Sequence, residues 1–283
     1  MIYSVVVGGL GNQLFQIFAA IAYGLQNGHS FAFNLIKSDD MNTRPTYWTN
    51  FLSELMPNVM RELLPEPTYL EKGVEYKELP IVSSDDSICV FGNFQSELYF
   101  KSHYSTICDL INLRSKQDLI LERFPEYSKM ISMHFRLGDY KSKGPEYHPI
   151  MSCQYYKNAL RYILEYRNKG HCNDGWNETD VLFFCENEDY DTVNQTIMEL
   201  QVEFPQLVFN RSPEISDWEQ MLLMSNCPHH IIANSTFSWW GAYFNRNING
   251  NQIVCYPNLW FGHQLYYLNT TDLCPTTWIK IEA

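Results

Sequence analysis

Residues 2–7 form a short, apolar, β-branched run that ends in Gly8-Gly9, which predicts a buried β-strand closed by a turn. Apolar positions then recur at helical spacing (Leu14, Phe15, Phe18, Ile21, Ala22, Leu25), predicting a helix over 12–25 that stops at Asn27-Gly28. Residues 31–36 supply the next strand. Strand, loop, helix and strand in this order make a βαβ unit, so the sheet is expected to begin parallel.

The stretch 37–86 is rich in Pro and acidic residues and predicts irregular structure with short helices. A short strand follows at 88–91 and a helical region at 105–123. Further strands are expected at 130–135, 181–184, 207–209, 231–233 and 253–256. Helices are expected at 154–166, 190–202, 218–224 and 234–244, and a polar loop at 168–179. This alternation predicts an α/β fold of two Rossmann-like lobes facing a cleft. The expected lobes are 1–125, carrying the glycine loop and the acceptor side, and 126–283, carrying the donor site.

Composition narrows the class. A net charge of −12 speaks against a nucleic-acid or anionic-membrane partner and makes an isolated Arg in a motif informative. Aromatics reach 15%, which suits a carbohydrate site, although most such rings serve a core. Met1 leads into an apolar run without a basic segment, and no stretch approaches the roughly 18 apolar residues a membrane span needs. The expected location is therefore cytoplasmic. The eight cysteines form no C-x-x-C pair and no His-Cys cluster at zinc spacing, so free thiols are expected and no structural metal. Sequons occur at Asn177, Asn194, Asn210, Asn234 and Asn269.

Three loops, each after a predicted strand, are rich in groups that suit a diphosphate. Gly8-Gly9-Leu10-Gly11-Asn12-Gln13 offers backbone N–H groups at a helix start. Counted from Gly9, the third glycine of a G-x-G-x-x-G fingerprint would fall on Leu14, and the second strand lacks an acidic residue for a ribose. Both points argue against a nicotinamide-dependent oxidoreductase. His134-Phe135-Arg136-Leu137-Gly138-Asp139-Tyr140 places His134 and Arg136 on one face at a strand's carboxyl end, where a guanidinium fork suits phosphate. The alternative for Arg136 is a structural pair with Asp139. Asn234-Ser235-Thr236-Phe237-Ser238 opens a helix, with side chains able to cap it or to meet phosphate oxygens. Trp239-Trp240 suits packing more than stacking on a ligand. No D-x-D metal motif stands in a suitable place. A sugar-binding module without activity is the non-enzyme alternative.

With Gln95-Ser96-Glu97-Leu98-Tyr99-Phe100 and the run to Tyr243, these segments resemble the inverting α-1,2-fucosyltransferase family, in the family's order. The glycine loop and the H-x-R segment are also similar to α-1,6- and protein O-fucosyltransferases. The resemblance implies a GT-B-like fold, transfer of L-fucose from GDP-fucose to the 2-hydroxyl of a terminal β-galactoside with inversion, and no cofactor or metal. It implies that Arg136 holds the β-phosphate, that His134 lies near the nucleoside, and that Asn234, Ser235, Thr236, Phe237 and Ser238 form the diphosphate loop. Gly9, Gly11 and Asn12 would approach the reacting end of the donor. Asp139, Glu146 and His148 stand together as candidates for the general base. Where many members carry a serine and two acidic residues, this chain has Cys185-Glu186-Asn187.

Overall fold

A computed structural model describes residues 1–35, 44–61, 65–167, 180–246 and 252–282. The loop expected at 168–179, with Cys172 and the Asn177 sequon, lies outside the described residues. The chain divides into two compact units, Met1–Lys116 with Leu268–Pro275, and Gln117–Tyr267 with Thr276–Ala283. The division falls within a helix, ahead of the expected boundary at 125, and a late segment returns to the first unit.

The first unit contains β1 (Ile2–Ser4), α1 (Leu10–Asn27), β2 (Phe31–Asn34), β3 (Val59–Met60), β4 (Tyr69–Leu70), β5 (Ile88–Phe91) and α2 (Tyr104–Leu110). Then α3 (Leu113–Arg123) runs through the division. The sheet is parallel throughout, in the order β3-β2-β1-β5-β4. The strand expected over 2–7 ends at Ser4, and beyond Val5, whose amide still donates to Val90 O, the amides turn to side chains. Val6 N donates to Asn34 Oδ1 at 2.6 Å and Val7 N to Gln16 Oε1 at 2.8 Å. The helix α1 is buried on nearly every side, as its apolar run requires. The single helix expected over 105–123 is broken at Asn112, whose φ of 50° belongs to the left-handed region that Asn tolerates.

The second unit carries β6 (Ile131–His134), α4 (Tyr140–Lys143), α5 (Cys153–Tyr166), β7 (Val181–Phe184), α6 (Tyr190–Glu203) and β8 (Phe209–Arg211). After these come α7 (Asp217–Ser225), β9 (His229–Ile231), α8 (Thr236–Tyr243), β10 (Ile253–Pro257) and β11 (Ile279–Ile281). Every strand pair is parallel, and the order is β11-β10-β9-β6-β7-β8. From β6 the chain winds outward through β7 and β8, then returns to β9 on the other side. The order therefore reverses between β6 and β9, the place at which open α/β sheets leave a crevice outside the carboxyl ends of the strands. β6, β7 and β9 are buried along their whole length, so each large apolar side chain there contributes about 1.5–3 kcal/mol. Cys89, Cys108, Cys153, Cys185, Cys227 and Cys255 are free thiols. No described helix is long and apolar enough to cross a membrane.

Candidate functional site

The reversal point of the second sheet collects two of the three loops. β6 delivers His134, a buried side chain whose Nδ1 has no hydrogen-bond partner among the described residues. Burial, then the neighbouring Arg136 charge, pushes its pKa down to about 3, so the ring is neutral near pH 7. Two residues on, Arg136 carries a carboxylate at each terminal nitrogen. Nη2 meets Asp139 Oδ1 at 2.5 Å, and Nη1 meets Glu186 Oε1. The guanidinium also lies 5.2 Å from the centre of the Tyr140 ring.

The loop that holds Arg136 is pinned by a buried carboxylate. Asp189 accepts from Gly138 N at 2.7 Å and from Lys141 Nζ at 2.6 Å. Gly138 has a φ of +37°, and a Cβ there would lie 2.7 Å from Glu186 Oε2, so both backbone and neighbour favour glycine. Neither Asp189 nor Glu186 was singled out as a site residue from the sequence.

On the other side of the crevice, Ser235 occupies the N-cap position of α8 and makes no side-chain cap hydrogen bond. A helix start without a side-chain cap is where an anion is favourably placed. Ser238 Oγ instead donates to Ser235 O at 3.3 Å, and Thr236 begins the helix. The Phe237 ring lies 5.4 Å from that of His134, so the two loops touch. Asn234 is spent on the turn itself: its Nδ2 donates to Pro149 O at 2.9 Å and Trp260 O at 3.1 Å, and its carbonyl accepts from Tyr140 Oη at 3.0 Å. This sequon asparagine is therefore inside the fold. Trp239 and Trp240 are fully buried and pack against one another at 5.1 Å.

Of the candidate bases, Asp139 is held in the Arg136 pair, and His148 stacks on Tyr140 at 4.7 Å. Glu146 lies in the same 144–148 turn, which is fixed to the 262–264 segment by Gly262 N to Tyr147 O and Gln264 N to Glu146 O, both 2.9 Å. Next to the Arg136–Glu186 pair, a polar cavity of about 350 Å³ is lined by Cys185, Asn187, Arg211, Ser212, Ser216 and Gln220, among others. It opens at the carboxyl ends of β7 and β8.

In the first unit the glycine loop follows the same rule. β1 and β5 are the neighbours at which that sheet's order reverses, and the loops after them meet, with Gln95 Nε2 donating to Asn12 Oδ1 at 3.1 Å. Gly9 caps α1, and among the described residues no atom beyond its chain neighbours lies within 4 Å of where a Cβ would stand. Gly11 is buried inside α1. Gln13 Nε2 ties the loop to Gly8 O at 2.7 Å and Pro45 O at 2.8 Å. Glu71 fixes the turn after β5 by accepting from Asn93 N at 2.6 Å and Phe94 N at 2.8 Å, while burial pushes its pKa up. His134, Arg136, Asp139 and Asn234 to Ser238 thus gather in the second unit, and Gly9, Gly11 and Asn12 in the first. Among the described residues no group of three or more His, Cys, Asp or Glu is placed to hold a metal ion.

The sequence is similar to those of known proteins. The family model described as "Glycosyl transferase family 11" matches residues 87–261. An α-1,2-colitosyltransferase of Escherichia coli is 28% identical over an alignment of 306 residues, covering 97% of each chain. The Escherichia coli O-antigen biosynthesis glycosyltransferase WbnK is 27% identical over 323 aligned residues, covering 99% of this chain and 100% of that one. Among solved structures, fucosyltransferase NodZ from Bradyrhizobium is similar at 12% identity with a TM-score of 0.44, over 86% of this chain and 93% of that one. The family match spans more than half the sequence and includes both loops of the β6–β9 crevice, and the chain belongs to glycosyl transferase family 11.

Proposed function

We propose that this glycosyltransferase moves L-fucose from GDP-fucose to the 2-hydroxyl of a terminal β-galactoside, with inversion and without a metal ion. The observation that carries the reading is the meeting of the Arg136 loop with the loop that opens α8 at the β6–β9 reversal, through the His134–Phe237 rings and the Tyr140–Asn234 hydrogen bond. In an inverting displacement the acceptor oxygen bonds to C1 of fucose as the C1–phosphate oxygen bond breaks. GDP leaves with the electron pair, and the acceptor proton passes to a base. Negative charge grows on the β-phosphate, where the Arg136 fork and the α8 N–H groups stabilise it in the role a metal plays elsewhere. The polar cavity beside residues 185–187 takes the nucleoside end. Because Asp139 is already held by Arg136, the base falls to Glu146 or His148.

The α-1,2-colitosyltransferase among the relatives favours a second reading of the donor. Colitose is the 3-deoxy analogue of fucose, so its GDP-activated form presents the same phosphates and the same anomeric carbon. A donor screen separates the readings: GDP-fucose, GDP-colitose, GDP-mannose and UDP-galactose are each offered with a β-galactoside, and nucleotide release and product linkage are recorded. The expected result is fastest release from GDP-fucose and a 1,2-linked product. Preference for a UDP-sugar, or a linkage to another hydroxyl, would contradict the proposal.

A further inference from the structure

Glu186 has no role in the transfer described above, yet it occupies the group that matters most there. Its carboxylate sits on Arg136 Nη1 while Asp139 takes Nη2, so both arms of the fork hold an anion. The two carboxylates differ in how firmly they are placed. Asp139 lies three residues along the same loop, with its side chain 24% exposed, whereas Glu186 reaches in from the loop after β7 and is 47% exposed. Arg136 is the only side-chain partner of Glu186 among the described residues, since the nearby Lys141 pairs with Asp189. The space the Glu186 carboxylate fills lies over Gly138, where a side chain would collide with it. The residues on either side of it, Cys185 and Asn187, line the polar cavity.

We propose that Glu186 is an intramolecular competitor for the donor diphosphate: it fills one arm of the Arg136 fork in the empty enzyme, yields it to a nucleoside diphosphate, and returns as that product leaves. The proposal rests on the reading that Arg136 receives the donor's phosphate. A diphosphate carries more charge than one carboxylate and displaces it, but the displacement weakens binding by what the ion pair was worth. For a half-exposed pair this corresponds to roughly a 2- to 5-fold difference in Kd. Glu186 touches none of the reacting atoms in this scheme, and it sets how tightly product GDP is held.

Titration calorimetry with GDP and with guanosine, on the wild type and on Glu186→Gln, Glu186→Asp and Arg136→Ala, tests the idea. Glu186→Gln should bind GDP about 2- to 5-fold more tightly and guanosine unchanged, because only phosphate competes with the carboxylate. Glu186→Asp, with its carboxylate drawn back by one methylene, should lie between, and it answers the question if the Gln variant does not fold. Unchanged or weaker GDP binding in both variants would overturn the proposal, since a carboxylate that merely orients Arg136 lowers affinity when removed. If GDP binding is unaffected by Arg136→Ala, the phosphate assignment itself fails. If Arg136→Ala abolishes GDP binding and the Glu186 variants bind no more tightly, only the competitor role fails.

Discussion

Arg136 holds two carboxylates, so its replacement separates catalysis from structure. Lysine keeps the charge but loses the fork. The pairs with Asp139 and Glu186 are partly exposed, so breaking them costs folding stability on the order of 0–1 kcal/mol. Loss of a transition-state contact costs about 3 kcal/mol, or ~10²-fold in rate. Arg136→Lys should therefore lose about 10²-fold or more in kcat/KM while melting near the wild-type temperature. Near-native turnover would move phosphate binding elsewhere. A second residue-scale consequence is acid sensitivity. His134 and His230 are buried and held neutral, each with a pKa lowered to about 3 by burial first and a neighbouring cation or histidine second. His230 Nε2 accepts from Asn245 Nδ2 at 2.6 Å, while the same amide donates to Cys227 O at 2.6 Å, which leaves the proton of the ring on Nδ1 facing Ser132 Oγ. The unfolded chain titrates these rings near about 6.5, so between pH ~6.5 and ~3 it binds more protons than the folded chain. Their stabilising contribution is complete above that window and is lost progressively as the pH falls through it. The urea midpoint should drop between pH 7 and pH 5, less steeply in His230→Gln. A flat profile would contradict the buried neutral state.

At the scale of elements, the contact between α7 and α8 is the tightest test. Gly241 of α8 faces Met224 of α7, and a Cβ there would fall inside contact distance of the Met224 sulfur and lie 2.9 Å from its Cγ. Gly241→Ala should destabilise the fold by about 1–3 kcal/mol, read as a lower urea midpoint with an unchanged slope. Met224→Ala in the same chain should recover part of the loss, and additive effects would deny the contact. Elements with a sustained period were legible in the sequence: α1, α5, α6 and β7 stand within a residue or two of where periodicity places them. Three of the shorter ones were not. β3 and β4 have two residues each and β11 three, too few to display alternation, and only pairing with neighbours makes them strands. The Arg136–Glu186 pair was hidden for a related reason. It depends on the β6–β7 register, which sets His134 opposite Phe184 and so brings the residues two places beyond each strand side by side. The rival pairing of Arg136 with Asp139 was legible, because three residues in one loop need no register.

At the scale of the whole molecule, one rule places every motif: in both sheets the donor-rich loops follow the two strands at which the order reverses, β1 and β5 in one unit and β6 and β9 in the other. The motifs were visible in the sequence, but their pairing across each reversal point came from topology. The net charge of −12 sharpens the consequence, since under the proposed metal-free transfer an acidic protein would depend on a few placed groups. The most direct measurement is GDP release from GDP-fucose in the presence of a β-galactoside, with excess chelator and then with added magnesium or manganese. The account predicts the same rate under all three conditions. Release abolished by the chelator and restored by the metal would contradict it, because Arg136 and the start of α8 would then not suffice to carry the leaving charge.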